Sequence, residues 1–234
     1  DDDNGSDSGS AYVYRFDGSS WIETKLLASD GAEYDRFGYS VAVDGDTVVV
    51  GAYHDDDNGS SSGSAYVYRF DGSSWIETKL LASDGAEYDR FGYSVAVDGD
   101  TVVVGAYRDD DNGSGSGSAY VYRFDGSSWI ETKLLASDGA SGDYFGWSVA
   151  VDGDTVVVGA HIDDDYSGSA YVYTFDGTDW IETKLLASDG AEYDWFGVSV
   201  AVDGDTVVVG ALYDDDNGSD SGSAYVYTFD GSSW

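Results

Sequence analysis

The fold is decided by residues 37–52, which read FGYSVAVDGDTVVVGA. Two valine-rich runs flank the turn Asp44-Gly45-Asp46, and Asp-Gly between β-branched runs predicts a tight two-residue β-hairpin. The same segment recurs with few changes at residues 91–106, 145–160 and 196–211. The chain is therefore an array of repeats, each containing the same hairpin.

A recurrent tryptophan marks the length of the repeat. It stands at Trp21, Trp75, Trp129, Trp180 and Trp234, which are roughly 54 residues apart. The third unit is shorter because its acidic loop, residues 163–168, lacks residues that the loop at 55–63 has. We expect one repeat domain over residues 1–234, with units at 21–74, 75–128, 129–179 and 180–233. Residues 1–20 form a partial repeat that completes or duplicates the closing blade.

Each unit carries four strand signals separated by turn residues. In one unit these signals cover residues 40–43, 47–52, 65–70 and 75–82. The first two strands are apolar on both faces, as strands covered on both sides are. The fourth alternates Glu77 and Lys79 with apolar residues, which is typical of an outer edge strand. No segment has the pattern of a helix.

Four antiparallel strands in about 50 residues predict an all-β fold, a β-propeller of four-stranded antiparallel blades. A solenoid of stacked sheets is the structural alternative. Closure favours the propeller, because residues 21–27 could serve as the fourth strand of a blade whose first two strands lie at 199–202 and 206–211. Residues 11–16 and 224–229 are then two copies of one third strand. The redundant copy hangs free, belongs to a longer array, or pairs between molecules.

The composition is strongly acidic. There are 46 Asp and Glu residues against 10 Lys and Arg, so the formal net charge is −36. Binding of nucleic acid through its phosphates is excluded by this charge, and no apolar run approaches the roughly 20 residues of a membrane span. A salt-loving source is one interpretation, because molar salt shortens the Debye length to about 3 Å. Cation binding by the carboxylates is the other, and the two are compatible.

The run Phe37-Gly38-Tyr39-Ser40-Val41-Ala42, followed by Val50-Gly51-Ala52, resembles the FG-GAP repeat of integrin α-subunit propellers and their microbial relatives. Tyr53 stands where that motif has proline. The downstream run from Gly63 to Tyr68 fits as well, and the resemblance extends over every unit. It implies a propeller, an extracellular or cell-surface location with any targeting segment outside this chain, and adhesion or ligand binding. It also implies Ca²⁺ as a cofactor in the blade loops.

The sequence departs from the family at the Ca²⁺ loop. The family's loop lies between the Phe-Gly and Gly-Ala segments, where this chain has only the turn at Asp44, too short to supply six to eight oxygen ligands. Acidic residues reappear one loop later, but the calcium-loop pattern fails there because His54 falls at its first position. A shifted Ca²⁺ site and a solvated acidic turn are both open. The candidate ligands are Asp55, Asp57, Asp109, Asp111, Asp163, Asp165, Asp214 and Asp216.

Catalysis is not expected. Identical carboxylates in every unit indicate a repeated structural role, whereas catalysis needs one asymmetric constellation with perturbed pKa values. His54 and His161 lie in different units with no nucleophile beside them, and we expect both at the surface. The periodic tryptophans are predicted to pack between blades rather than to stack on carbohydrate.

The binding face is predicted from the positions at which the repeats differ. In a hairpin that turns at Gly45, residues 36–39 lie opposite 50–53, so the variable residues cluster at the end away from the turn. The predicted ligand-face residues are Arg36, Tyr39, Tyr53, His54, Arg90, Tyr93, Tyr107, Arg108, Tyr144, Trp147, His161, Trp195 and Tyr213.

These patterns predict a non-catalytic extracellular binding or adhesion module that recognises a protein. A glycan-binding propeller lectin is the first alternative. A consensus or designed repeat scaffold without a ligand is the second, because the units are nearly identical. Self-association through the redundant strand is a further expectation.

Overall fold

A computed structural model describes residues 1–234, and it is all β, with no helix that could cross a membrane. The strands are β1 Ala11–Phe16, β2 Trp21–Leu26, β3 Ser40–Asp44, β4 Thr47–Ala52, β5 Ser64–Phe70, β6 Trp75–Leu80, β7 Ser94–Asp98, β8 Thr101–Ala106, β9 Ser118–Phe124, β10 Trp129–Leu134, β11 Ser148–Asp152, β12 Thr155–Ala160, β13 Ser169–Phe175, β14 Trp180–Leu185, β15 Phe196–Asp203, β16 Thr206–Ala211 and β17 Ser223–Thr228.

The strands form five antiparallel sheets that follow one another along the chain. Three sheets have four strands, in the orders β3-β4-β5-β6, β7-β8-β9-β10 and β11-β12-β13-β14. The last sheet has three strands, β15-β16-β17, and the first has only β1 and β2. The first strands β3, β7, β11 and β15 lie beside one another, which places them innermost and the fourth strands outermost. The predicted four-stranded antiparallel blades are confirmed.

The predicted hairpin is present in every blade. Asp44 pairs with Thr47, so Gly45 and Asp46 form the two-residue loop between β3 and β4. Gly45 has a φ of +52°, the left-handed conformation that such hairpin loops require and that glycine adopts without steric cost. A local sequence signal therefore fixes the pairing register of each blade.

The Phe-Gly and Gly-Ala segments are the points where neighbouring blades approach most closely. The backbone of Phe91 forms a parallel bridge with Gly63 of the preceding blade, and its ring is buried against Tyr120 of its own blade, with the two ring centroids 5.3 Å apart. A Cβ on Gly51 would lie 1.9 Å from the carbonyl oxygen of Gly92 in the next blade. Only glycine fits at this contact, so the recurrent glycines are a requirement of blade packing.

Each blade has two apolar faces of different composition. The face with Tyr66 and Tyr68 packs on the preceding sheet, around Ala11 and Leu26. The opposite face, which includes Val67, packs on the following blade. Burial of a side chain of this size contributes about 1.5–3 kcal/mol. The hydrophobic core is therefore a series of similar layers between sheets, and each interior blade needs a neighbour on both sides.

The periodic tryptophans pack at the outer edge of the blades, as predicted. Trp129 lies 5.2 Å from Phe124 across its hairpin, and the guanidinium of Arg69 from the preceding blade covers that pair. Trp21 belongs to the first sheet and has no preceding blade, and it is exposed. The tryptophans therefore serve contacts between blades.

The closure predicted from the sequence is not present in the structure, and that expectation is corrected. β2 pairs with β1 from Ala11↔Leu26 to Phe16↔Trp21, and β17 pairs with β16. No ladder joins the first sheet to the last. The physical reason is local: a short turn joins β1 to β2, and closing a short loop costs less entropy than bringing distant ends together. Each copy of the third strand therefore has a partner, and the array is open.

Candidate functional site

The variable residues of the four units meet at one end of the inner hairpins. Ser40 pairs with Gly51, which places residues 36–39 opposite residues 50–53. The ring of Tyr39 lies 4.5 Å from Tyr53 in its own blade and 5.0 Å from Tyr93 in the next blade. The hairpin register and the stacking of blades together bring variable residues from different units into contact.

These contacts continue across all four units. Tyr93 lies 4.7 Å from Trp147, His161 lies 4.3 Å from Trp147, and Trp195 lies 4.7 Å from Tyr213, measured between ring centroids. We call this set the aromatic row. Its members are Tyr39, Tyr53, Tyr93, Tyr107, Trp147, His161, Trp195 and Tyr213.

The aromatic row has a buried side and an accessible side. Tyr53 and Tyr107 are buried, whereas Tyr39 and Tyr213 at its two ends are exposed. His161 is only 2% exposed, and its ring lies between Trp147 and Trp195. The expectation that His161 is a surface residue was wrong, because Trp147 of its own unit and Trp195 of the next unit cover it.

Arginines flank the first half of the row. Arg36 donates a 2.6 Å hydrogen bond to the hydroxyl of Tyr53, and the Arg90 guanidinium lies 2.8 Å from the ring of His54. Arg108 is exposed beside Tyr107. Burial, together with the charges of Arg90 and Arg36, lowers the pKa of His54 to about 4. Burial alone lowers the pKa of His161 to about 4, so both rings are neutral at neutral pH.

One position beside the row has a strained backbone in every unit. Its occupants Arg36, Arg90, Tyr144 and Trp195 have φ values of 58°, 65°, 58° and 57°. Left-handed backbone at a bulky residue costs on the order of 1 kcal/mol and is common at binding sites. Backbone hydrogen bonds to a neighbouring loop hold this conformation; the Trp195 amide, for example, donates one to the Tyr166 carbonyl.

Tyr144 separates two polar clefts. One has a volume of about 340 Å³, and its lining includes Glu87, Arg108 and Asp110. The other has a volume of about 320 Å³, and its lining includes Ile162 and Tyr166. Each cleft combines an aromatic ring with carboxylates, a donor and acceptor set suited to a polar ligand.

The acidic loops at Asp55, Asp109 and Asp163 each surround a lysine. Lys79 Nζ lies 2.8 Å from a carboxylate oxygen of Asp30 and 2.9 Å from one of Asp55, and it also pairs with Asp57. The next loop repeats this arrangement: Lys133 Nζ lies 2.7 Å from Asp84 and 2.9 Å from Asp109. The carboxylates that the sequence offered as Ca²⁺ ligands therefore converge on an ammonium group.

Burial and hydrogen bonding set the charges in these clusters. Burial disfavours the charged form of Lys79, but hydrogen bonds to Asp30, Asp57 and Asp55 outweigh it and raise the lysine pKa. Burial also opposes ionisation of Asp30, yet the contacts with Lys79 and Tyr66 lower its pKa. The Tyr66 hydroxyl completes the cluster, because its oxygen lies 2.9 Å from a carboxylate oxygen of Asp30 and 2.8 Å from one of Asp55, and its single proton can be donated to either.

The third loop differs because it is shorter. Lys184 Nζ lies 2.7 Å from Asp138, 2.8 Å from Asp163 and 3.0 Å from Asp164. In this loop, which is three residues shorter than the loop at 55–63, the lysine pairs with Asp164 and not with the predicted ligand Asp165.

The fourth loop has no lysine. The Tyr225 hydroxyl oxygen lies 2.7 Å from a carboxylate oxygen of Asp214 and 2.9 Å from one of Asp189, and its single proton can be donated to either. The charges of Asp214 and Asp189 raise the pKa of Asp216. In the other three loops the lysine lies on the fourth strand of the blade, and the sheet β15-β16-β17 has three strands.

The donor set of the first three loops does not fit Ca²⁺, because a lysine ammonium already lies among the carboxylates. The sequence prediction missed the lysines that fill these loops, and it missed the aspartate that each preceding blade contributes. A usable signal was present, since a Ser-Asp-Gly triplet recurs once in every unit. The missed residues are Lys79, Lys133, Lys184, Asp30, Asp84, Asp138 and Asp189.

A buried carboxylate under each loop was also missed. Asp89 accepts a 2.6 Å hydrogen bond from the Ala86 amide and has little contact with solvent. Burial, with the charges of Asp109 and Asp110, raises its pKa to about 6. It directly precedes the strained residue Arg90 in the chain.

The sequence comparisons agree with this geometry. A family model described as FG-GAP repeat matches residues 21–68, 75–122, 129–173 and 180–227. Each match begins at a recurrent tryptophan and ends in the third strand of a blade. No curated protein matches the chain.

Proposed function

Because the chain belongs to the FG-GAP repeat family, we propose that it is a non-catalytic binding module whose ligand face is the aromatic row with its flanking clefts. The observation that carries this proposal is the continuity of the row. Residues that vary between otherwise similar units form one unbroken series of aromatic contacts across all four. Variation on a fixed framework is typical of binding surfaces.

The chemistry of the row supports contact with a macromolecule. Tyrosine, tryptophan and arginine supply large contact areas and dominate the energetics of protein interfaces. The residues with left-handed backbone support this proposal as well. Four bulky side chains lie in or beside the row in a conformation that costs free energy, namely those of Arg36, Arg90, Tyr144 and Trp195. We therefore propose a protein as the ligand.

A glycan is the second candidate, and the clefts beside Tyr144 favour it. An aromatic ring next to carboxylates and an arginine offers both stacking and hydrogen bonding to hydroxyl groups. Tyr144 lines both clefts and also contacts Tyr107 and Trp147 of the row, so a glycan and a protein would share this residue.

The absence of catalysis is part of the proposal. The aspartates of the first three loops are held by lysines, and both histidines are neutral. The Ser61 hydroxyl lies 3.1 Å from Nδ1 of His54, but the guanidinium of Arg90 lies 2.8 Å from both ring nitrogens, so a cation stands where a catalytic histidine has an orienting carboxylate. We propose an extracellular location from the family, and a high-salt environment from the net charge of −36.

The proposed function is tested with two variants in about 1 M NaCl, a concentration at which the charges are screened. The first is Tyr144→Ser with Arg108→Ser, which changes the clefts. The second is Tyr144→Ser with Trp147→Ser and Trp195→Ser, which interrupts the row. The control is Trp21→Ser, which removes an exposed aromatic residue at the outer edge.

The wild-type protein and the variants are applied to a glycan array and to a panel of extracellular matrix proteins. We expect the row variant to lose binding to its ligand by at least tenfold, with the control unchanged. Circular dichroism checks that the variants are folded. Loss of glycan binding in the cleft variant identifies a lectin. Equal binding by wild type and both variants refutes the ligand face.

A further inference from the structure

Three arginines make no ion pair, although the chain has a large excess of carboxylates. There are 46 acidic and 10 basic residues. Every lysine pairs with aspartates, and so do the arginines Arg15, Arg69 and Arg123. On so acidic a surface, a cation without a partner lies where the chain's own carboxylates do not reach. The arginines of this kind are Arg36, Arg90 and Arg108, and we call them the arginine strip.

The arginine strip follows the first half of the aromatic row. The guanidinium carbons of Arg36 and Arg90 lie 5.8 Å and 5.6 Å from the ring centre of Tyr53, so they approach one ring from two adjacent blades. The guanidinium carbon of Arg108 lies 5.5 Å from the ring centre of Tyr107, in the same blade as Arg90. The charges are confined to the first two units, because the equivalent residues of the other two are Tyr144, Ile162, Trp195 and Tyr213.

Arg90 keeps a donor available that other arginines use for aspartates. Arg69 and Arg123 each place Nη2 against a carboxylate oxygen, at 2.6 Å and 2.5 Å. Nη2 of Arg90 makes no hydrogen bond and remains in contact with solvent, while Nη1 lies 2.8 Å from the ring nitrogens of His54. The charge of Asp56 acts on His54, but Asp56 forms no ion pair with Arg90. The Arg90 guanidinium therefore has an unused edge for an anion.

The surroundings of Arg90 also favour a negative charge. Its backbone has a φ of 65°, and its amide donates a hydrogen bond of 3.3 Å to the Ser61 carbonyl of the preceding blade. Burial, followed by the charges of Arg108 and Arg36, lowers the pKa of Arg90. Positive charges held together without a counter-charge repel one another, so an anion bound beside them is attracted by more than one.

We propose that the arginine strip binds carboxylates of an acidic segment in the protein ligand. The inference rests on the proposed function, because the strip lies beside the aromatic row and contacts the same ligand. A guanidinium donates two parallel hydrogen bonds to one carboxylate, a geometry that lysine cannot reproduce. Arginines from two adjacent blades engage carboxylates at separate points, so an extended segment with several Asp or Glu residues fits the strip better than a single small anion. The tyrosines of the row border the strip and offer apolar contact to such a segment.

The net charge determines the salt dependence of this binding. The chain carries −36, so an acidic ligand is repelled at low ionic strength. At about 1 M salt the Debye length falls to about 3 Å, which removes the long-range repulsion and leaves contacts at hydrogen-bond distance. Affinity for an acidic ligand should therefore rise between about 0.1 M and about 1 M NaCl, whereas attraction between opposite net charges weakens over this range.

The first experiment measures binding to immobilised poly-L-glutamate at about 1 M NaCl and neutral pH. The strip variant combines Arg36→Gln, Arg90→Gln and Arg108→Gln. The matched control combines Arg15→Gln, Arg69→Gln and Arg123→Gln, which removes the same number of charges from the outer edge of the blades. Circular dichroism checks that both variants are folded. We expect the strip variant to bind more weakly than the wild type by about tenfold or more, and the control to bind within about twofold of it. Equal affinity of the two variants, or no binding by the wild type, overturns the proposal.

The second experiment replaces poly-L-glutamate with polygalacturonate, which carries the same carboxylate groups on a glycan. We expect the wild type to bind polygalacturonate more weakly than poly-L-glutamate. Equal or tighter binding of polygalacturonate overturns the acidic protein segment and identifies an acidic glycan as the ligand of the strip.

Comparison with the row variant separates this inference from the proposed function. Tyr144→Ser with Trp147→Ser and Trp195→Ser leaves the arginine strip intact, so we expect this variant to retain binding to poly-L-glutamate. If the wild type binds a protein of the matrix panel and the strip variant binds it equally well, the inference fails and the ligand face stands. If the row variant keeps that protein while the strip variant loses poly-L-glutamate, the ligand face fails and the strip remains a separate site for acidic peptides.

Discussion

Replacement of Lys133 by methionine should convert a self-neutralised loop into one that needs a cation. Lys133 Nζ lies 2.7 Å from Asp84 and 2.9 Å from Asp109, and it also pairs with Asp111. The lysine and Asp109 are largely buried, with side-chain exposures of 17% and 6%. Methionine keeps the aliphatic stem and removes the charge, so three carboxylates are left without a counter-charge.

The size of the effect follows from this burial. Removing one partner of a buried ion pair costs about 3–5 kcal/mol, and the half-exposed carboxylates Asp84 and Asp111 reduce that cost. We expect Lys133→Met to lower the free energy of unfolding by about 3 kcal/mol in the absence of Ca²⁺. The oxygens of Asp84, Asp109 and Asp111 lie within 4.8 Å of one another, a separation that one cation can bridge. Ca²⁺ at 100 times its dissociation constant would restore about 2.7 kcal/mol.

The assay is urea unfolding with and without Ca²⁺, at an ionic strength held constant with NaCl. Lys25→Met is the matched control, because Lys25 makes the same type of contact with Asp1 and Asp3, but these three side chains are 30–39% exposed and water screens their charges. We expect Ca²⁺ to stabilise Lys133→Met much more than the wild type, and to change Lys25→Met little. The reasoning is refuted by a variant as stable as the wild type, or by equal stabilisation of both proteins by Ca²⁺.

Three further predictions concern pH, blade packing and salt. Burial raises the pKa of Asp89 to about 6. Between about pH 4 and pH 6 the folded protein therefore keeps a proton on Asp89 that the unfolded chain has lost. The free energy of unfolding falls as the pH rises through that window, because the proton must be removed from the folded protein. Asp89→Asn should therefore stabilise the fold by about 2 kcal/mol at pH 8 and by almost nothing at pH 4, which urea titrations at both pH values measure. Gly92→Ala should lower the free energy of unfolding by more than about 3 kcal/mol, because its Cβ would lie 2.2 Å from the Ser64 carbonyl oxygen. Gly99→Ala should lower it by only about 1 kcal/mol, because no atom lies near its Cβ. Equal losses of stability in thermal unfolding would contradict this account of the motif. The melting temperature should rise between low and molar salt equally with NaCl and KCl, because screening does not depend on the ion, and a flat profile would argue against repulsion as the controlling force.

The sequence was sufficient for the blades. The Asp-Gly turn at Gly45 and the alternation of side chains along each strand are local signals, and they fix the hairpin register without reference to distant residues. The repetition of these signals then required sheets that stack on one another. The convergence of the variable residues also followed from the register, because pairing Ser40 with Gly51 places residues 36–39 and 50–53 at the same end.

The sequence was not sufficient for the environment of individual side chains. His161 is buried by Trp147 and Trp195, which come from a different part of its own blade and from the next unit. Lys79 lies among carboxylates from the preceding connection and from its own acidic loop. Such contacts depend on the distance between blades, and no pattern within one unit specifies that distance.

Repetition itself limited what could be predicted at the ends of the array. β1 and β17 are nearly identical, so either one is chemically able to occupy the third position of a blade. The sequence therefore determined which strands can pair, because pairing depends on side-chain alternation and local turns. Only the tertiary structure decided that β1 remains with β2 and β17 with β16. Nearly identical strands can take the same place in a sheet, so the strand closer along the chain pairs there, because closing a shorter loop costs less entropy.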